Sequence, residues 1–389
     1  MARVLFWNLM NFTDRRINNP KNIIASTKSL NNILGVFKND PPDVFVLIEL
    51  FQRTGGSKQG ELVKGSAANG AITLLGAISK YTKSTWHLIP PVVTGFAGKR
   101  EGIAVYYNGS TTLTFTGPWT HTGAKGAATQ AKGKGLAYPK PWNNTLPKGS
   151  TAGGQWEFRA GKVIQEYPVA GERRPWLVSF KDTGGAVVRN IDVFGFHAPA
   201  PGPNAGKGTV ALSTTNEIVN SKNYCVLGGD FNVPYTPKNK KNIYGSICNV
   251  GYSWEFKNND NYTTQRNVKQ SSISAKGLTY PQYGYGANTY DQIFTKLVKM
   301  NNPMVIDQVI GTDNKFSGFP PAGILGPGFG FDSVPPLANG TAAFTYPCYM
   351  ANDIPTILAG ANPNKTFQNF ANYGHIRRTS DHMGVVMDV

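Results

Sequence analysis

Five apolar runs, scattered from one end of the chain to the other, each stop on or beside an acid, an amide or a histidine. They are FWNLMNF from residue 6, VFVLIEL from 44, FGFHAPAP from 194, VLGGDFNVP from 226 and TSDHMGVVMDV from 379. A short apolar run bounded by turn-forming residues reads as a strand buried on both faces. A strand is stiff, so a polar residue where the run stops is held at a sheet edge, where a site can be assembled. The five ends run from Asn8 to His382, which predicts one domain over residues 1–389. A chain of that length with 40% hydrophobic residues has ample material for its core.

Between these anchors the pattern alternates. Val4 to Trp7 is predicted as a strand. Asn19-Pro20 offers a helix cap, and Ile23, Ile24, Leu30, Ile33, Leu34 and Phe37 recur near the helical period, so a helix is expected up to Asp40-Pro41-Pro42. Val44 to Ile48 is a buried strand leading into Glu49. Ile103 to Tyr107 and Trp176 to Phe180 suggest a further strand pair, opened by Arg100-Glu101 and Arg173-Arg174. Val193 to Phe196 ends at His197. Leu212, Ile218 and Val219 suggest a helix before the strand Tyr224 to Leu227, which delivers Asp230 and Asn232. Asp291 stands in TYDQIFTK, and the last strand, Met383 to Val389, follows Asp381-His382. Two stretches, about 108–170 and 311–370, are too long for ordinary connections and are expected to be loop insertions.

Thirty-nine Lys and Arg against 22 Asp and Glu give a formal charge of +17, well above the roughly 2 to 8 usual for a small domain. Such a surface attracts polyanions, either nucleic acid or an anionic membrane. The first insertion mixes Lys125, Lys132, Lys134 and Lys140 with Trp119, Tyr138 and Trp142. It reads either as a groove that tracks phosphates and stacks bases or as a solvated loop. The segment 319–331, FPPAGILGPGFGF, reads either as a membrane-touching lip or as a packed Gly-Pro loop. Cys225, Cys248 and Cys348 form an odd set without C-x-x-C spacing; Cys225 is expected as a buried thiol, and one pair among the three is free to bridge. No Sec-type signal and no run of about 18 apolar residues is visible, so a cytoplasmic location or export by a non-Sec route is expected.

Hydrolysis of a phosphodiester needs a cation on the phosphate, a group that orients and deprotonates water, and a stabiliser for the leaving oxygen. Glu49 with Asn8 and Asp381 supplies hard oxygen ligands that suit Mg²⁺, or Ca²⁺ or Mn²⁺, rather than zinc. Asp230 and Asn232, two residues apart, point the same way from one strand end. His197 and His382 can donate to phosphate oxygens if Glu101 and Asp291 keep them protonated. Each residue alone has a plain structural reading as a turn former, cap or core histidine. Of the five histidines only these two end apolar runs beside acids; His87, His121 and His375 receive no role.

In chain order, Asn8 in FWNLMNF, Glu49 in LIEL, Glu101 in KREGIAVYY, Arg173 in ERRPWLVSF, His197 in FHAPAP, Asp230 and Asn232 in GGDFNVP, Asp291 in TYDQIF and Asp381-His382 in TSDHMGVV resemble the endonuclease/exonuclease/phosphatase superfamily and its DNase I-like members. GGDFN and SDH are the most specific of these; the rest persuade by order and spacing. The resemblance implies an α/β fold, a four-layer sandwich of two packed mixed β-sheets with flanking helices and a cleft at the sheet edges. It implies Mg²⁺ at Glu49 with Asn8 and Asp381 nearby, and water oriented by Asp230 and Asn232. It further implies that Asp291 supports His382, that Glu101 supports His197, and that Asn8 helps bind phosphate. Arg173 or Arg174 would hold a phosphate, the R-x-P spacing favouring Arg173. Attack would be in line, without a covalent intermediate. A histidine at 197 resembles the DNase I, cytolethal distending toxin, sphingomyelinase and inositol phosphatase branches rather than the abasic-site endonucleases.

The leading expectation is a monomeric, Mg²⁺-dependent, non-specific DNA endonuclease, with RNA as another substrate of the same chemistry. The alternative is a sphingomyelinase or phosphoinositide phosphatase acting on membrane lipid, and a second alternative is a catalytically dead scaffold. A basic nuclease without a visible signal endangers its own cell, so a toxin with non-Sec delivery, or an enzyme held by an inhibitor or immunity protein, is expected.

Overall fold

The computed structural model describes residues 2–37, 41–52, 58–96, 98–118, 121–123, 126–128, 150–151, 154–156, 161–254, 263–265, 287–299, 301–306 and 377–389, and within them every one of the five apolar runs lies in a strand. The chain opens with β1 (Arg3–Phe12), α1 (Asp14–Ile17), α2 (Ile23–Gly35) and β2 (Val44–Phe51). β1 and β2 pair in parallel, which a helical crossover permits. The α2 cap is Asn22, whose side chain accepts from the Ala25 N–H at 3.2 Å, whereas Asn19 closes a local turn onto the Lys21 N–H at 3.1 Å. The helix therefore starts later than Asn19-Pro20 suggests.

Next come α3 (Gly65–Thr82), β3 (Trp86–Val93), β4 (Glu101–Asn108), β5 (Leu113–Gly117), β6 (His121–Gly123), β7 (Gly126–Ala128), β8 (Ser150–Thr151), β9 (Gly154–Trp156) and β10 (Lys162–Val163). Then follow β11 (Trp176–Asp182), β12 (Arg189–His197), α4 (Pro203–Ala211), α5 (Asn216–Asn220) and β13 (Tyr224–Asp230). Short helical turns in 237–248 lead to β14 (Ser253–Trp254), β15 (Asp291–Lys296), β16 (Asn301–Ile306) and β17 (Gly384–Asp388).

Among the described residues these strands build two mixed sheets. The first runs β16-β17-β1-β2-β4-β3-β9-β8; the second runs β10-β11-β12-β13-β15-β14, with β5 also on β11. Ile103 to Tyr107 and Trp176 to Phe180 thus fall in different sheets and do not pair. The stretch 108–170 contributes strands to both sheets. The basic and aromatic residues singled out there, the segment 311–370 and Cys348 lie outside the described residues. Cys225 is buried and unbridged, and Cys248 is half-buried and unbridged. No helix among the described residues is long and apolar enough to cross a membrane.

Alternation along the strands makes the layers. In β12 and β13, Val193 and Val226 join the core shared with the first sheet, whereas Phe194, Phe196 and Leu227 face a second core with Ala205, Leu212 and Ile218. Leu30, Leu34, Leu74 and Ile78 place α2 and α3 against the first sheet. The result is the expected four-layer α/β sandwich. The sheets approach closely at Gly228, where an added Cβ would lie 2.6 Å from the Phe6 ring. The chain termini also meet, since β17 lies antiparallel to β1 and Ala2 exchanges both backbone hydrogen bonds with Val389 at 2.8 and 2.9 Å.

Candidate active site

Strand register collects the polar residues before any side chain reaches out. In the second sheet His197 is directly opposite Asp230 across β12 and β13, and Asp230 is opposite Asp291 across β13 and β15. In the first sheet Asn8 is opposite Ile48, so Glu49 follows at the end of β2, and Glu101 opens β4 opposite Phe51. His382 stands just before β17, beside β1. Backbone strain gathers here as well: Met10, Asn11, Glu49 and Asn232 have φ of 42°, 54°, 71° and 51°, a region that non-glycine residues rarely adopt and that concentrates at functional sites.

Asp230 is the hub. Its Oδ2 accepts from Asn8 Nδ2 at 3.1 Å and lies 3.3 Å from His197 Nε2 and 3.6 Å from His382 Nε2. Its Oδ1 accepts from the Asn232 N–H at 2.9 Å. Each imidazole has a second carboxylate behind it: His197 Nδ1 bonds Glu101 Oε1, and His382 Nδ1 lies 2.8 Å from Asp291 Oδ2. Arg173 Nε sits 2.8 Å from the other Glu101 oxygen. Arg173 Nη1 donates to the Ala198 carbonyl at 2.9 Å, and Asn232 Nδ2 reaches the same carbonyl at 3.4 Å. Asp230, Asp291, Glu101, Asn8, Asn232 and both histidines are all buried.

Burial disfavours charge on His197, yet Glu101 and the hydrogen bonds to Asp230 and Glu101 outweigh it, and its pKa is pushed up to about 10. Burial likewise opposes a charge on His382, but Asp291 and Asp230 push it up to about 10. Asp230, despite burial, is held well below the usual carboxylate range by His382 and His197. Burial pushes Asp291 up against the pull of His382. The cluster is a buried alternation of carboxylates and imidazoliums.

Glu49 and Asp381 are half-buried, and Asp381 Oδ1 lies 3.9 Å from His382 Nε2. Burial raises Glu49 above its ordinary value, with His197 opposing and Glu101 adding to the rise. The carboxylates of Glu49 and Asp381 are hard oxygen donors of the kind that suit a hard divalent ion. Asn8 is already committed, its Oδ1 to the Met10 N–H at 2.9 Å and its Nδ2 to Asp230, so it orients Asp230 more directly than it serves a cation. A second set, Asp230, Asp291 and His382, has ligand atoms within 4.8 Å of one another. A cation there competes with the proton on His382.

Of the residues named from the sequence, Arg174 alone turns away. Its Nη1 donates to the Gln165 carbonyl at 2.8 Å, and its guanidinium lies over the Phe96 ring at 5.6 Å. Sequence reading missed Arg16, which donates to the Met10 carbonyl at 2.6 Å and to the Arg378 carbonyl; burial lowers its pKa, and the charges of Glu49 and Asp381 oppose that. The Arg15-Arg16 doublet just after the first motif was the available signal. Asn11 was missed too; its N–H donates to Glu49 Oε1 at 3.0 Å.

No family model matches the chain, and no curated protein matches it significantly. Solved structures do align over nearly its whole length. An endonuclease/exonuclease/phosphatase family protein from Leptotrichia buccalis C-1013-b shares 13% identity over 100% of this chain and 99% of that one, with a TM-score of 0.48. The human Nocturnin catalytic domain with bound sulfate shares 12%, over 100% and 93%, at 0.42. D. rerio TDP2 complexed with a single strand DNA product shares 11%, over 99% and 97%, at 0.41. At these identities and scores the reaction must be argued from the site.

Proposed function

We propose that the chain is a metal-dependent phosphodiesterase of the endonuclease/exonuclease/phosphatase superfamily, DNase I-like, that cleaves DNA as an endonuclease within one catalytic domain over 1–389. The observation that carries this reading is the convergence of two carboxylate-backed imidazoliums on the carboxylate of Asp230. Glu49 with Asp381 would hold Mg²⁺, which when bound neutralises phosphate charge. Asp230, kept ionised by its cationic neighbours, accepts a hydrogen bond from the attacking water and orients it, and Asn232 aligns that water beside it. His197 and His382 donate to the phosphate oxygens as charge builds there, and Asn8 fixes the shared carboxylate. Arg173 holds Glu101 and thereby His197. The net charge of +17 favours a nucleic acid over a small diester.

Plasmid cleavage at low salt with Mg²⁺, run beside RNA, sphingomyelin and phosphoinositide turnover, tests the reading. Cleavage of DNA that is lost in Glu49→Ala and His197→Ala supports it. Lipid turnover without DNA cleavage replaces it with the membrane alternative, and no hydrolysis of any substrate leaves a scaffold. A cell-toxic nuclease restrained by an inhibitor protein follows from this reading, and normal growth on cytosolic expression of the wild-type chain would refute that part.

A further inference from the structure

We infer that the cavity beside Asn232 is a base pocket. It takes an unstacked nucleobase next to the scissile phosphate and so gives the chain a preference for unpaired over duplex nucleic acid. The inference deepens the nucleolytic reading and rests on it. The cavity, of about 790 Å³, lies between α4 and the segment that follows Asp230. That size is within the range of pockets that bury a small organic ligand.

Its walls are apolar. Val210 and Ala211 of α4 form one, and Val233, Pro234 and Ile243 form the other. The walls close on each other at Gly206, where an added Cβ would lie 3.0 Å from Ile243 Cδ1. A slot between two apolar walls accepts a flat ring, as sites that hold an extruded base do. The polar residues Lys207, Thr214, Asn239 and Tyr290 are exposed or half-buried and so stand toward the mouth, and no acid is among the described lining residues. Asn239 commits its Nδ2 to the Pro234 carbonyl at 2.9 Å, which leaves Oδ1 as an acceptor. Thr214 donates to the Ala211 carbonyl at 3.0 Å and keeps an acceptor lone pair. Lys207 pairs with no acid among the described residues, so its ammonium is a free donor. Donors and acceptors around an apolar slot match the edge of a base, whereas an acyl chain would leave all of them unpaired.

The cavity is continuous with the reaction centre. Asn232 lines it, and the Asn232 N–H donates to Asp230 Oδ1 at 2.9 Å. Tyr290 lines it too, directly before Asp291, and the Tyr290 carbonyl accepts from the Phe231 N–H at 2.8 Å. Burial and the nearby Asp230 charge both raise the Tyr290 phenol. A group seated here therefore adjoins a phosphate held at Asp230 and His197. A base in a duplex must be unpaired and unstacked before it can enter; that step opposes a duplex and is absent for a single strand.

The test uses the full chain and Val210→Trp, which fills the slot from its half-buried α4 wall. The ligands are a labelled single-stranded oligonucleotide, its abasic counterpart of equal length and its duplex form. Anisotropy in EDTA reads binding without cleavage. The wild-type chain should bind the base-bearing strand about tenfold more tightly than the abasic strand, the scale of one stacked base. Val210→Trp should erase that difference, because the two strands carry the same phosphates. In Mg²⁺ the ratio of kcat/KM on single strand to that on duplex should fall in the variant by the same factor. Equal affinity for the two strands in the wild-type chain, or a difference that survives in the variant, overturns the pocket whether or not DNA is cleaved. Base-dependent binding without cleavage in Mg²⁺ keeps the pocket and refutes the nuclease. Binding of sphingomyelin or phosphoinositide vesicles that Val210→Trp abolishes, with no base-dependent binding of the strand, refutes the pocket in favour of a lipid. Thr214→Tyr, at an exposed position, repeats the comparison if Val210→Trp does not fold.

Discussion

His197 and His382 approach one and the same oxygen of Asp230, at 3.3 and 3.6 Å, from different sheets. Two imidazoliums can share so small a space only while the carboxylate between them stays ionised. Asp230→Asn should therefore abolish hydrolysis and also destabilise the fold, by about 3 to 5 kcal/mol at neutral pH, as loss of one partner from a buried charge set does. The penalty should narrow as pH rises, because the unscreened imidazoles then shed their protons. Urea unfolding of both proteins between pH 6 and 9 measures this; a penalty independent of pH would contradict it.

The raised histidines also set the pH dependence of the wild-type fold. Both are pushed up to about 10, so their stabilisation is fully present below their unfolded value near 6.5 and is lost as pH rises toward 10. Asp230 is depressed, so its contribution is present above the ordinary carboxylate range and is lost as pH falls below it. In EDTA the unfolding midpoint should decline from pH 6.5 to 10. His197→Gln should flatten that decline, and a slope unchanged in the variant would disprove the assignment.

Cation binding should be linked to protons. Burial keeps Glu49 above its ordinary value, so a bound Mg²⁺ must displace any proton it holds. Calorimetry in buffers of different ionisation enthalpy should show proton release near pH 5 and less at pH 8. Glu49→Gln should weaken Mg²⁺ binding by about a hundredfold or more, since loss of even an outer partner costs about ten- to a hundredfold.

Gly228 offers a test of the sandwich itself. A Cβ there meets the Phe6 ring at 2.6 Å, so Gly228→Ala should cost about 1 to 3 kcal/mol through overpacking. Phe6→Leu in the same chain should recover part of the loss, and a thermal-melt double-mutant cycle reads the coupling. Additive effects would place the strain elsewhere.

Three members of the polar cluster were legible because each ends an uninterrupted apolar run, the strongest short-range strand signal. Asp230, His197 and Glu49 all stand in that position. The helix α3 escaped because GSAANGAITLLGAISKYT mixes glycine, serine and threonine into its apolar face, which blurs the period although ten of its residues are buried. Strand β3 escaped because Pro90-Pro91 interrupts it, and proline demotes a strand reading. Which sheet a strand joins was not legible at all: β4 and β11 look alike in sequence, and only long-range pairing separates them. Arg173 and Arg174 are adjacent and equal in composition, so choosing between them needed the side-chain contacts of each.

The pairing of β1 with β17 has a consequence for synthesis. A chain still on the ribosome before residue 379 already has Asn8, Glu49, Asp230 and Asp291, yet it has neither His382 nor the strand that completes the first sheet beside β1. Domains tend to fold during translation from the N-terminal side. A chain cut before residue 379 therefore lacks the second imidazole beside Asp230, and β1 loses its antiparallel neighbour.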